Sequence, residues 1–130
     1  MYDLIICNPP YFSSSMRPQG KERSLARHDD GLSLEELFKG AAAFLLPTGK
    51  LSLIIPAELR EKTREIAAKH TMFPVRVLHI QPTPEKEAKR VCLEYSFKAD
   101  ECTEETLVIE EGGRHVYSEA YTGLTKDFYL

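Results

Sequence analysis

The run Leu4-Ile5-Ile6-Cys7 breaks off in Asn8-Pro9-Pro10-Tyr11-Phe12, and this junction restricts the fold more than any other stretch. Leu4 to Cys7 is short, partly β-branched and uncharged, the composition of a strand buried on both faces in a parallel sheet. Pro9 and Pro10 lack N–H donors and fix their own φ, so neither a ladder nor a helix continues through them. A residue before proline is pushed to extended geometry, which leaves Asn8 at the carboxyl lip of the strand. Ligands of open α/β sheets bind outside the carboxyl ends of strands. A rigid turn there, with one amide and two aromatic rings, suits a planar, polar, neutral ring. The alternative is a stiff strand exit that only packs.

At 130 residues the chain is one domain at most, with 42% hydrophobic and 28% charged residues, an ordinary globular balance. A formal net charge of −3 excludes a globally basic nucleic-acid binder, so any such surface is a local patch. Cys7, Cys92 and Cys102 are odd in number and lack C-x-x-C spacing. They read as reduced thiols of an intracellular, cytoplasmic protein rather than as a disulfide framework or zinc site. No apolar run approaches the ~20 residues of a membrane span, and no basic segment precedes the first apolar stretch.

Residues 12–30 carry no hydrophobic period and many charges, the pattern of a functional or disordered loop. Arg17, Lys21, Arg23 and Arg27 stand there against Glu22, ahead of His28, either as phosphate contacts or as a solvated surface. His28-Asp29-Asp30 precedes Gly31 and reads as a turn, with no second cluster to complete a metal site. Ser33 and Glu36 form a capping-box pattern that opens a helix through Leu45, which Pro47 and Gly49 are expected to stop. A strand over 51–55 ends at Pro56, and a helix over 58–70 follows. Strands are expected over 75–80 and 91–97, joined by a charged connection and therefore antiparallel, with a shorter one at 107–109. Gly112-Gly113 marks a turn after which Val116-Tyr117 pairs back, and a short helix lies within 121–130. His70, His79 and His115 read as surface or packing histidines.

Asn8-Pro9-Pro10-Tyr11 resembles the (D/N/S)PPY signature of enzymes that methylate exocyclic amines. Ala26-Arg27-His28, then the Leu-rich helix, Gly49-Lys50-Leu51 and Ile55-Pro56 follow the order of the bacterial tRNA1(Val) adenine-37-N6 methyltransferases. The ending Tyr117-Ser118-Glu119-Ala120-Tyr121-Thr122-Gly123-Leu124-Thr125, closed by Phe128-Tyr129-Leu130, is similar to the C-terminus of that family. This tail separates the chain from glutamine-N5 and DNA adenine methyltransferases. The resemblance implies an α/β fold: the C-terminal half of a Rossmann-like methyltransferase, with parallel strands, helical crossovers and then an antiparallel strand pair. On this resemblance residues 1–130 are expected to form one partial domain that lacks the cofactor-binding half, because the Gly-rich turn and the ribose-binding acid of the family's first half have no counterpart.

The resemblance assigns catalysis to Asn8, Pro9, Pro10 and Tyr11, with the Asn8 side chain and the Pro9 carbonyl accepting hydrogen bonds from an adenine N6 amine. That is positioning rather than acid–base chemistry. Tyr11, with Phe12, stacks on the base. Arg17, Lys21, Arg23, Arg27 and His28 join Phe12 as substrate contacts to tRNA, and Asn8 also adjoins the cofactor, S-adenosylmethionine. No metal is implied. With the cofactor cradle missing, the isolated chain is expected to be inactive and to hold the cofactor weakly or not at all. Its first strand, short of neighbours, is expected to be an exposed edge that self-associates. A non-catalytic RNA-binding or assembly module that uses the 17–27 loop is the reading from a different class.

Overall fold

The computed structural model describes residues 1–9, 33–114 and 116–127. Five strands form one sheet in the order β1-β2-β4-β3-β5. β1 (Tyr2–Cys7) pairs parallel with β2 (Leu45–Pro56), and β4 (Arg90–Ser96) lies antiparallel between β2 and β3 (Phe73–Gln81). β5 (Thr103–Val108) pairs parallel with β3 at the far edge. β1, β2, β3 and β5 therefore point one way and β4 alone points back. The expected β3–β4 antiparallel pair is present, but it is β4 that fills the place beside β2.

Helix α1 (Leu34–Phe44) joins β1 to β2, and α2 (Arg60–Lys69) joins β2 to β3 through a 3-10 turn at Ala57–Leu59. Ser33 caps α1 as its residue type suggests: its Oγ accepts from the Glu36 N–H at 3.1 Å. Leu34, Leu37, Phe38 and Ala41 form the buried stripe of α1. They meet Leu51, Leu53 and Ile55 of β2, Val91, Leu93 and Tyr95 of β4, and Ile66 and Ala67 of α2. Phe38 and Tyr95 pack edge to face, with centroids 5.1 Å apart. Glu35 ties the two helices, reaching Lys69 at 3.4 Å and His70 at 3.3 Å. The hydrogen bond with His70, then Lys69, holds the Glu35 carboxyl below its ordinary range.

α2 ends in a full Schellman motif: Met72 N–H donates to the Ala67 carbonyl at 3.0 Å and Thr71 N–H to the Ala68 carbonyl at 3.1 Å. The left-handed position of that motif, usually glycine, is Thr71 at φ 55°. The helix α1 stops earlier than Pro47 and Gly49 require. Leu45 is already extended, and β2 runs through both residues. The β1–β2 register explains this: it passes from Tyr2↔Leu45 to Leu4↔Lys50, so residues 46–49 form an irregularity where no ladder N–H is needed from proline. A Cβ at Gly49 would stand 3.0 Å from the carbonyl oxygens of Leu46 and Tyr2, so glycine there permits the close approach of β1.

Beyond β5, Gly112 and Gly113 turn with positive φ, and Glu110 bridges to Tyr117. Ser118 then caps α3 (Glu119–Thr125), accepting from Tyr121 N–H at 3.0 Å while its own hydroxyl donates to the Val108 carbonyl. His79 meets Glu104 at 2.8 Å, beside Arg60 at 3.0 Å from the same carboxylate. The His79 hydrogen bond, then Arg60, holds Glu104 below its ordinary range. No helix among the described residues is long and apolar enough to cross a membrane.

Candidate functional site: the carboxyl lip of the sheet

Because β1, β2 and β3 share one direction, their carboxyl ends share one edge of the sheet. Asn8 sits at that edge, exposed, and Pro9 beside it is buried. A proline whose ring is buried holds the lip against the sheet, and Asn8 is left facing outward. The Cys7↔Leu53 register puts Asn8 level with Ile54. Alternation along β1 then gives Asn8 the face of Ile6, opposite to the helix-covered face.

On that open face lies a hollow of about 490 Å³. Its wall at the lip is Ile6 and Asn8, its floor Ile54, Leu78 and Cys92, and its far end Glu94. Burial pushes the Cys7 and Cys92 thiols above their ordinary range, so both remain neutral SH groups. Lys50 approaches Glu94 at 3.7 Å and Arg76 approaches Glu105 at 3.4 Å, so the charges at the far end are compensated. The arrangement is an apolar recess with a neutral hydrogen-bonding amide at its mouth. It accommodates a flat heterocycle and accepts from an N–H at the rim. Among the described residues it holds no paired acid and base, and its cysteines are neutral thiols. All three cysteines are free, and no group of three or more His, Cys, Asp or Glu among the described residues is arranged to hold a metal ion.

Of the residues singled out from the sequence, Asn8 and Pro9 are brought together at the lip. Pro10, Tyr11, Phe12, Arg17, Lys21, Arg23, Arg27 and His28 lie outside the described residues. The hollow itself was missed by sequence reasoning. Its signal was the apolar character of alternate positions, Ile54, Leu78 and Cys92, on strands whose other face already supplies the core.

Over its whole length the chain is 42% identical to a protein of Phocaeicola vulgatus named tRNA1(Val) (adenine(37)-N6)-methyltransferase, of which it covers 55%. It is 40% identical over 99% of its length to a protein of the same name from Flavobacterium psychrophilum, again covering 55% of that protein. The chain is homologous to these proteins over half of their length. A Trichodesmium erythraeum protein with the same name is 39% identical over 99% of the chain and 54% of that protein. The crystal structure of a predicted O-methyltransferase from Agrobacterium tumefaciens superposes with a TM-score of 0.70. It covers 96% of this chain and 51% of that one at 19% identity, a likeness of fold. No protein-family model matches the chain.

These names raise the question of a methyl donor. The described glycines do not form a cradle for its nucleoside: Gly40 and Gly123 are within helices, Gly49 is inside β2, and Gly112 and Gly113 follow an edge strand without opening a helix.

Proposed function

We propose that this chain is the target-adenine portion of an S-adenosylmethionine-dependent methyltransferase that modifies the N6 amine of an adenine in tRNA. The observation that carries the reading is Asn8 and Pro9 at the mouth of an apolar recess on the carboxyl edge of the sheet. The curated names of the homologues support tRNA as the substrate over DNA or protein. The adenine N6 amine is a poor nucleophile because its lone pair is delocalised into the ring. Its two N–H bonds donate to the Asn8 side-chain oxygen and to the Pro9 carbonyl oxygen. Two acceptors in fixed directions favour a tetrahedral nitrogen and aim its lone pair outward, and the double proline keeps the carbonyl from turning away. Tyr11 and Phe12, next in sequence, supply rings on which an extruded base stacks. Arg17, Lys21, Arg23, Arg27 and His28 supply contacts to the RNA backbone. The reading carries a cytoplasmic location.

The sequence holds no Gly-rich turn that follows a strand and opens a helix, so calorimetry of the purified chain with S-adenosylmethionine is expected to show no micromolar binding. Micromolar affinity would refute that part of the reading. The amine-acceptor part is tested by NMR. Adenosine is expected to shift the Asn8 side-chain amide resonances, while N6,N6-dimethyladenosine, which has no N–H to donate, is not. Equal shifts by both compounds would remove Asn8 from the proposed role.

The same reading includes self-association through β1. This strand is outermost in the sheet, and Tyr2, Leu4 and Ile6 on its open face are 61%, 50% and 75% exposed. A second copy fits the edge by antiparallel pairing about a two-fold axis at Leu4. Leu4 then faces its own counterpart, Tyr2 faces Ile6, and Asp3 faces Ile5. That register keeps Asp3, the charged residue of the strand, away from its counterpart.

A further inference from the structure

The cations of the described residues divide into two sets. Lys50, Arg60, Arg64, Lys69, Arg76 and Lys98 each stand within ion-pair distance of a carboxylate. Lys39, Lys62, Lys86, Lys89, Arg90, Arg114 and Lys126 are exposed and have no ion-pair partner among the described residues, and of these Lys86, Lys89 and Arg90 lie together. The β3–β4 connection spans residues 82–89 between Gln81 and Arg90. It leaves β3 and enters β4 at the carboxyl ends of β2 and β3, the edge that carries Asn8.

This connection is anchored rather than loosely attached. Arg90 pairs with both Pro56 and Ile80. Ala57 N–H donates to the Lys89 carbonyl at 2.8 Å, and Lys86 N–H donates to the Thr83 carbonyl at 3.2 Å. Cys92 and Glu94 line the open-face hollow, and alternation gives Arg90 the same face. Asn8 is level with Ile54, and Ile54 pairs with Cys92. From Asn8 to Arg90 is thus two strand spacings of ~4.8 Å across and two residues of ~3.4 Å along, or about 12 Å between Cα positions. That is about three to four nucleotides at ~3.4 Å per stacked nucleotide.

A chain of net charge −3 draws a polyanion by local contacts and not by its overall field. Glu85 and Glu87 interrupt the connection, so its cations act as separate phosphate contacts and not as a continuous basic stripe. We propose that Arg90 and Lys89, with Lys86, hold phosphates of an RNA strand a few nucleotides from the adenine that enters at Asn8. This inference rests on the adenine reading above and adds a binding surface on the far side of β2 from the lip.

The test uses the full chain and two probes, an unmodified tRNA transcript and a short single-stranded RNA with one adenine. The variant Lys86→Ala/Lys89→Ala/Arg90→Ala is compared with Lys39→Ala/Lys62→Ala/Lys126→Ala, which removes three unpaired cations elsewhere. The lip variant is expected to bind at least tenfold more weakly at 100 mM salt. Its slope of log affinity against log salt should flatten by about 2, from three contacts at ~0.7 each for single strands. The control variant is expected to stay within twofold. Equal losses in the two variants overturn the proposal, as does an unmodified chain with no salt-dependent RNA binding. Adenosine shifts at Asn8 that persist in the lip variant separate this outcome from failure of the amine-acceptor reading. A melting curve matching that of the unmodified chain shows that the variant is folded.

Discussion

Tyr95 carries the most specific stability prediction. It is 1% exposed, in the centre of the core on β4, with its ring against Phe38. No protein group among the described residues accepts or donates to its hydroxyl. A buried polar group without a partner costs about 1–3 kcal/mol, whereas a paired one contributes about 1. Tyr95→Phe keeps the ring and removes the unpaired oxygen, so it is expected to stabilise the chain at pH 7 by about 1 kcal/mol. The phenol adds a pH signature. Burial is the largest cause that raises its pKa above the ordinary 10.0, with Arg60 as the first opposing influence. Its contribution is therefore intact below pH 10 and is lost as pH rises above it, because only the unfolded chain releases the proton. At pH 11 that loss is RT ln(1 + 10), about 1.4 kcal/mol. Urea unfolding of the two proteins at pH 7 and pH 11 is expected to show the variant's advantage widening by about that amount, with m unchanged. A variant less stable by about 1 kcal/mol at pH 7 would mean that the hydroxyl is paired. A gap that does not widen at pH 11 would mean that the phenol ionises in the folded chain.

Thr71→Gly is expected to stabilise by about 1 kcal/mol in the same assay, because a β-branched residue at φ 55° holds the left-handed position of the Schellman motif where glycine has no steric cost; a destabilised variant would refute this. Leu4→Lys sets two ammonium groups against each other across the proposed two-fold edge and is expected to convert a dimer to a monomer in light scattering. An unmodified chain that stays monomeric at high concentration would dispose of the edge pairing itself.

Several elements were legible because their signals are local. Ser33 caps α1 through its own hydroxyl, and Pro9 closes β1. The tail helix was legible but its start was not: Ser118 caps α3 at Glu119, two residues ahead of the expected 121–130. β5 was legible only at its apolar end. Thr103 to Thr106 is polar and exposed, as edge strands commonly are, and reads as loop in isolation. Pro47 and Gly49 misled for a related reason: both are breakers in a regular element, but they occupy the one irregular stretch of the β1–β2 ladder. β1 has the composition of a strand covered on both faces, yet it stands half exposed at the edge of the sheet, where the missing neighbours were expected to leave it. The recess behind Asn8 draws on four strands, and its floor depends on β4 entering between β2 and β3. No single segment of sequence records that insertion.

The edge and the lip belong to the same strand, so their proposed uses have to be geometrically compatible. In an antiparallel pairing centred on Leu4 the two β1 strands run in opposite directions, and each Asn8 lies four residues from the axis. The two lips are then about 27 Å apart, at ~3.4 Å per residue, and open at opposite ends of one continuous sheet. A two-fold axis normal to the sheet leaves both hollows on the same face. The phosphate contacts at Lys86, Lys89 and Arg90 lie beyond β2, away from the paired edge. Edge pairing therefore leaves each lip free to take its own RNA strand, with one RNA bound per chain in monomer and dimer alike. Loss of RNA affinity in Leu4→Lys comparable to that in the lip variant would contradict this separation.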